Sequence, residues 1–392
     1  MIKEIKIENF KSIQSLNLEL GRLNVFIGAN GSGKSNILEG IVFGAAAIGG
    51  KLENLFLNAR GVRTPDANLM QSVFDNKGKN IDLTFKDFNL EDINITAYFK
   101  DNKWNASPSI ESSIFQKKQL IKDMWLEGDN TFHFANTVIK QGEKTPNDIR
   151  GKLREVFNFI GEQRINYLFE THLSDFMIFA PENTALRRFE EEGQIEPLNI
   201  DGKGLFKLLQ KIIKTKPESF AKINEYLQLL DWFEGFEMPN DLMFTERRIN
   251  IKDQFIDGVQ FIDQRSANEG FLYLLFYLTL FISDDTPKFF AIDNIDNAMN
   301  PRLGRELIKT LAKLSKKEEH DKQVILTTHN PAILDGLNLN DDEQRLFVIH
   351  RNAHGHTKAT RIFKTETPEG QRPLPLSEQF LRGYLGGLPD NF

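Results

Sequence analysis

The sequence predicts an α/β protein in which both ends of the chain build one core sheet. A mostly helical insertion lies between them, and an antiparallel β subdomain lies near the N-terminus. Three observations carry this expectation. The short apolar run Asn24-Val25-Phe26-Ile27 passes at once into a glycine-rich turn and then into a stretch of helical spacing. Far downstream, residues 288–292 and 323–326 form two more apolar runs that end in polar residues and flank a helical pattern, as buried parallel strands do. Between them, residues 80–100 alternate apolar and polar side chains, the period of half-buried antiparallel strands.

Taken in order, Ile5 and Ile7 alternate with charged residues, and Leu16, Leu18 and Leu20 with polar ones, so two strands are expected before the first apolar run. Residues 36–47 are helical, with Ile37, Leu38, Ile41 and Val42 on one side. A meander is expected over 80–100, with Ile81, Leu83 and Phe85 on one strand and Ile93, Ile95, Ala97 and Phe99 on the next. From 108 to 180 the pattern is mostly helical. Residues 149–169 have helical spacing without sustained heptads, so no long coiled-coil arm is expected. Residues 203–236 read as two helices, and 244–263 alternate. The last third returns to α/β: a buried helix at 271–282, the strands at 288–292 and 323–326 around a helix at 302–314, and a strand pair at 345–350 and 357–363. The expected divisions are 1–107, 108–243 and 244–392.

Composition narrows the function classes. The 392 residues carry 49 Lys+Arg against 55 Asp+Glu, a net charge of −6, which disfavours a protein built to coat nucleic acid while leaving a local basic patch possible. There is no cysteine, which excludes a disulfide scaffold, a thiol nucleophile and any Cys-ligated metal centre. The 33 Phe predict a strongly aromatic core. The N-terminus lacks the apolar stretch of a secretory signal, and the longest apolar run, 271–282, is too short to span a bilayer. A cytoplasmic, membrane-independent protein is expected.

The most specific signal is Gly28-Ala29-Asn30-Gly31-Ser32-Gly33-Lys34-Ser35, which fits GxxxxGK[ST] at every fixed position, after a strand and opening a helix. Glycines let successive backbone N–H groups converge on phosphate oxygens, and the helix N-terminus adds its positive end. Asn30, Gly31, Ser32, Gly33, Lys34, Ser35 and Asn36 are therefore the expected nucleotide contacts. Lys34 would reach the β- and γ-phosphates, and the Ser35 hydroxyl would ligate Mg²⁺. Asp293, closing the run Phe289-Phe290-Ala291-Ile292, is the expected second metal ligand. His329, just past the 323–326 run, is placed to touch a γ-phosphate at the carboxyl edge of the sheet.

Together these motifs resemble the ABC-type ATPase head of the SMC/RecF/OLD group, in the branch often called AAA-like ABC ATPases. Asn9-Phe10-Lys11-Ser12 and the phosphate loop resemble that group's opening. The stretch Ile292-Asp293-Asn294-Ile295-Asp296-Asn297-Ala298-Met299-Asn300-Pro301 resembles its Walker B segment and D-loop, and Thr327-Thr328-His329-Asn330-Pro331 its histidine switch. Ser266-Ala267-Asn268-Glu269-Gly270 resembles a degenerate ABC signature, and Pro181-Glu182, Leu186-Arg187 and Pro197-Leu198 with Asp201-Gly202 resemble middle motifs of the branch. The resemblance implies a P-loop NTPase fold, a head-to-head homodimer or higher oligomer sandwiching ATP and Mg²⁺, and a trans contact from Ser266, Asn268, Glu269 and Gly270 to the partner's γ-phosphate. It further implies a setting in bacterial anti-phage or toxin–antitoxin systems, beside a separate effector such as a nuclease or toxin.

The chain also departs from the group's pattern. Where the group carries a catalytic Glu after the Walker B Asp, this chain has Asn294, which can hold a water but cannot accept its proton. Slow hydrolysis is expected, with Lys34, Asp293, Asn294 and His329 as the catalytic set. Asn300 replaces the D-loop Asp. No residue is identified as the Q-loop glutamine; Arg60, Arg63 and Gln71 lie in its region. The 63 residues after His329 are too few for a Toprim nuclease domain. His350, His354 and His356 fit a hairpin turn around Gly355 better than a metal site, and Lys203, Lys207, Lys211 and Lys214 fit a solvated helix face better than a DNA track. Residues 376–387 are Gly-rich and apolar for a tail, suited to docking on a partner or on the chain's own core. Two other readings remain: a RecF-like repair ATPase that binds DNA when dimerised by ATP, and a non-hydrolysing scaffold that holds nucleotide as structural glue.

Overall fold

The computed structural model describes residues 1–64, 67–72, 74, 80–87, 91–101, 103–112, 173–188, 198–239, 248–256, 261–316, 321–364 and 374–387. The helical pattern at 149–169, most of the stretch 108–180, and Pro197 lie outside them.

The core sheet has six strands in the order β13-β12-β3-β11-β10-β7: Thr357–Ile362, Gln344–Arg351, Leu23–Ile27, Gln323–Thr328, Phe289–Ile292 and Ile178–Phe179. All neighbours are parallel except the β12–β13 hairpin. Both chain ends therefore build it, as expected. A second sheet of five antiparallel strands, in the order β2-β1-β4-β5-β6, comprises Ile13–Glu19, Ile2–Phe10, Asn80–Asp87, Glu91–Lys100 and Lys103–Ser112. It is the expected β subdomain, but β6 continues past 108, where the helical insertion was expected to begin.

The core strands read as unbroken apolar runs because both faces are covered. Phe289, Ala291, Ile325, Phe347 and Ile349 point to one side, where helix α1 (Lys34–Ile48) lies between the two sheets. Phe290, Ile292, Val324, Leu326, Leu346 and Val348 point to the other, where the helices Leu205–Thr215, Glu269–Ile282 and Pro301–Ser315 pack. The Glu269–Ile282 helix is apolar on every side because it is buried from Phe271 to Ile282. The aromatic core is realised here: Phe179 meets Phe276 and Phe290 edge-on at 5.9 Å, and Phe281 meets Phe290 at 5.3 Å.

The 203–236 stretch holds the helices Leu205–Thr215 and Pro217–Leu227, then a strand, β8 (Phe233–Glu237), paired antiparallel with β9 (Asn250–Asp253). The strand escaped the sequence reading because Phe233 and Phe236 also suit a helical period. The lysine stripe is a solvated face: Lys203 pairs with Asp201 at 2.8 Å and Lys211 with Asp285 at 2.5 Å. The tail docks on the chain's own core. Ser377 donates its amide and hydroxyl to the Asp335 carboxylate at 2.9 and 2.6 Å, and Phe380 is buried. Among the described residues no helix is long and apolar enough to cross a membrane.

Candidate nucleotide site

Strands β3, β10 and β11 run parallel, so their carboxyl ends bring Gly28, Asp293 and His329 to one edge of the sheet. The phosphate loop leaves β3 and enters α1 through two close backbone approaches. A Cβ on Gly28 would lie 2.1 Å from the Ile349 carbonyl oxygen. Gly33 has φ +107°, and a Cβ there would lie 2.0 Å from Thr357 Oγ1. Thr357 Oγ1 shares a 2.7 Å hydrogen bond with Ser12 Oγ and bonds the Ser32 carbonyl oxygen at 3.1 Å. Asn36 donates to Ser12 Oγ at 2.6 Å. The Asn9-Phe10-Lys11-Ser12 motif thus braces the loop. Arg351 adds a bond from Nε to the Gly31 carbonyl oxygen at 2.8 Å.

Lys34 is buried. Its ammonium donates to the carbonyl oxygens of Gly28 at 2.8 Å and Ala29 at 3.1 Å, and lies 3.4 Å from His329 Nδ1. Burial lowers its pKa to about 8, opposed by the charges of Asp293 and Asp296. Burial and the Lys34 charge likewise lower the pKa of His329, so the imidazole is neutral at pH 7 and Nδ1 can accept from Lys34. Ser35 Oγ donates to Asp293 Oδ2 at 3.3 Å. Asp293 Oδ1 accepts from the Thr327 hydroxyl, which itself accepts the Asn294 amide at 2.9 Å. Thr327 is a site neighbour that sequence reasoning placed in a motif without a task. Asn294 has φ +55°, a left-handed conformation that Asn tolerates better than most residues.

The signature-like segment forms a helix N-terminus. Asn268 caps the Glu269–Ile282 helix by accepting the Phe271 amide at 2.8 Å, and Asp263 Oδ1 accepts the amides of Arg265 and Ser266 at 3.0 and 2.9 Å. Ser266, Asn268 and Glu269 are exposed, and Glu269 accepts from Asn183 Nδ2 at 2.6 Å. Arg187, noted in the sequence only as part of a middle motif, ties this segment down. Its guanidinium donates to the carbonyl oxygens of Gln264, Arg265 and Ala267 at 3.1, 2.7 and 2.8 Å, and to Asn183 Oδ1 at 2.8 Å. Asn300 caps the Pro301–Ser315 helix, accepting the Leu303 amide at 2.9 Å.

A cavity of about 660 Å³ opens beside Asn36, walled by Lys11, Ser12, Arg63, Gln71 and Phe74. The buried Glu39 on α1 holds Lys11 and Arg63 there, the latter at 2.5 Å. Of the three Q-loop candidates, Arg63 and Gln71 line this cavity. Arg60 instead stacks on Phe56 and donates to the Ser174 carbonyl oxygen at 3.2 Å. The His350 to His356 stretch is a hairpin turn in which Asn352 Oδ1 accepts the amides of His354 and His356. Among the described residues no three His, Asp or Glu side chains converge as a metal cage.

The family described as "AAA domain, putative AbiEii toxin, Type IV TA system" matches residues 23–335, more than half of the chain. Among solved structures, an SMC head bound to the C-winged helix domain of ScpA superposes with a TM-score of 0.57 at 14% identity, covering 92% of this chain and 98% of that one. An Smc head with an extended coiled coil, bound to the C-terminal domain of ScpA derived from Pyrococcus furiosus, superposes with a TM-score of 0.51 at 12% identity, covering 92% and 96%. No curated protein sequence matches. The phosphate loop at the sheet edge, the head-like superposition and the family match agree: this chain belongs to the AbiEii-type AAA domain family and has the fold of an ABC-type ATPase head of the SMC/RecF group.

Proposed function

We propose that the protein is an ATP-gated switch that binds Mg²⁺-ATP at Gly28–Ser35, hydrolyses it slowly and closes into a homodimer through residues 266–270. The observation that carries this reading is the convergence of Lys34, Ser35, Asp293 and His329 at one sheet edge. Ser32 Oγ adds support: it is buried in the loop with no hydrogen-bond partner, a group suited to a ligand oxygen. The Ser35 hydroxyl and Asp293 carboxylate are hard oxygen donors 3.3 Å apart, which fits Mg²⁺, an ion that takes its other ligands from phosphates and water. Bound there, the ion would neutralise charge on the β- and γ-phosphates.

In this reading the loop amides and Lys34 hold the γ-phosphate, with Lys34 giving up its bonds to Gly28 and Ala29. The neutral His329 contacts a γ-phosphate oxygen, and Asn294 orients the attacking water without taking its proton. Preorganised charge stabilisation at Lys34 supports turnover, and the missing base keeps it slow. The exposed Ser266, Asn268 and Glu269 and the helix N-terminus behind them suit contact with a partner's γ-phosphate. The family's description, a putative AbiEii toxin of a type IV TA system, supports a toxin–antitoxin setting. In this reading the switch there controls a separate effector.

The test combines light scattering with phosphate release. ATP and Mg²⁺ should convert monomer to dimer, and the dimer should decay at the rate of phosphate release. A mass unchanged by ATP, with no phosphate released, would defeat the reading.

A further inference from the structure

Asp296 has no part in the nucleotide contacts above, yet it is half-buried against the turn that carries His329. Thr328 Oγ1 donates to Asp296 Oδ1 at 2.8 Å and itself accepts the Asn330 amide at 2.9 Å. The bonds therefore fix the residues on both sides of His329. Thr328 is wholly buried, so water cannot stand in for Asp296, and the hydroxyl's other acceptor, the Asn330 carbonyl oxygen, lies farther off at 3.4 Å. Asp296 also faces the Glu269–Ile282 helix: Tyr277 is fully buried there, its hydroxyl lacks a hydrogen-bond partner, and it lies in the field of the Asp296 carboxylate.

We propose that Asp296 is a positioning residue for His329, holding the imidazole over Lys34 through the Thr328 hydroxyl. The inference rests on the reading of this edge as the γ-phosphate site and adds the residue that aims its histidine. Asp296 touches the switch through Thr328 and reaches the phosphate loop only through its charge acting on Lys34, with no hydrogen bond to it. Its removal should therefore spare ground-state ATP binding and slow the chemical step. Misplacement of a contact group by about 1 Å costs up to ~10²-fold in rate.

The experiment compares Asp296→Ala, Asp296→Asn, Thr328→Val and Thr328→Ser in the full chain. It measures ATP affinity by calorimetry, single-turnover phosphate release, and the pH titration of the His329 imidazole by NMR without nucleotide. Asp296→Ala and Thr328→Val should slow release roughly 10- to 100-fold with ATP affinity within about threefold of the wild type. Asp296→Asn keeps an acceptor for Thr328, and Thr328→Ser keeps the hydroxyl, so both should recover most of the rate.

The groups facing His329 are Lys34, which lowers its pKa, and Asp296, Asp293 and a hydrogen bond with the Gly28 backbone, which raise it. Loss of the Asp296 charge should therefore move the His329 titration to lower pH in both Asp296 variants. A rate as low in Asp296→Asn as in Asp296→Ala would overturn the positioning role in favour of a proton acceptor. Wild-type release together with an unmoved His329 titration in Asp296→Ala would overturn the proposal outright. Should Asp296→Ala fail to fold, the Thr328 pair decides by the same rate criteria. If the wild type binds no ATP, the nucleotide reading fails, and the His329 titration still tests the link to Asp296 by itself.

Discussion

Replacing Asn294 by Glu sets two effects of different size against each other. The residue sits at φ +55°, where an L-residue other than Gly pays about 1–2 kcal/mol and Asn pays less. The substitution should therefore lower folding stability by roughly 1 kcal/mol, read as a lower urea midpoint. On the other side, a positioned base contributes ~10²–10⁴-fold, or about 3–5 kcal/mol of barrier. The barrier effect is larger, so Asn294→Glu should be slightly less stable and at least ~10²-fold faster in single-turnover phosphate release. The structure weakens the alternative that another acid already serves as the base: Glu269 is held by Asn183 and Asp296 by Thr328. The assay is phosphate release from pre-bound ATP at matched occupancy, wild type against variant. Brisk wild-type release that the substitution fails to raise would refute the reasoning.

Two further outcomes follow from particular contacts. Gly270→Arg should abolish ATP-driven dimerisation in light scattering while leaving ATP binding to the monomer. A Cβ at this position would lie 3.3 Å from the Ala298 carbonyl oxygen, 3.6 Å from Asn268 Oδ1 and 4.0 Å from Leu303 Cδ2, so the fold must yield by a few tenths of an ångström while the longer Arg side chain obstructs the surface. Lys322 is buried and donates to the carbonyl oxygens of Ser283, Thr286 and Pro287 and to the Thr286 hydroxyl, so Lys322→Met should cost roughly 3 kcal/mol in a denaturant titration. Burial lowers its folded pKa to about 7. Between pH 7 and the ordinary lysine value near 10.5 the unfolded chain thus binds more protons at this residue, its contribution to stability rises with pH there, and the Met variant should lose that slope.

Much of this molecule was legible in the sequence, and the reasons are physical. Strands buried on both faces, such as Phe289–Ile292 and Gln323–Thr328, read as unbroken apolar runs. The phosphate loop reads from its fixed glycines and Lys34, because backbone geometry admits few substitutes there. The pairing of Ser35 with Asp293, far apart in the chain, could be anticipated only by resemblance, since no local pattern links them. Thr357 and Arg187 were illegible as parts of the site. Each acts through bonds to distant backbone carbonyls, at Ser32 and at Gln264 to Ala267, which leave no spacing or composition signal. Strand β8 was missed because Phe233 and Phe236 satisfy both periods, and pairing with β9 decided between them.

The central claim is that Lys34 and Asp293 build an ATP site at this sheet edge, and ATP affinity measured by calorimetry tests it most directly. Lys34→Ala should weaken binding roughly 10- to 150-fold, the equivalent of a lost charge-assisted contact of about 1.5–3 kcal/mol. Asp293→Ala should remove the gain in affinity that Mg²⁺ gives over chelator. An unchanged affinity in Lys34→Ala, with Mg²⁺ dependence intact in Asp293→Ala, would contradict the account.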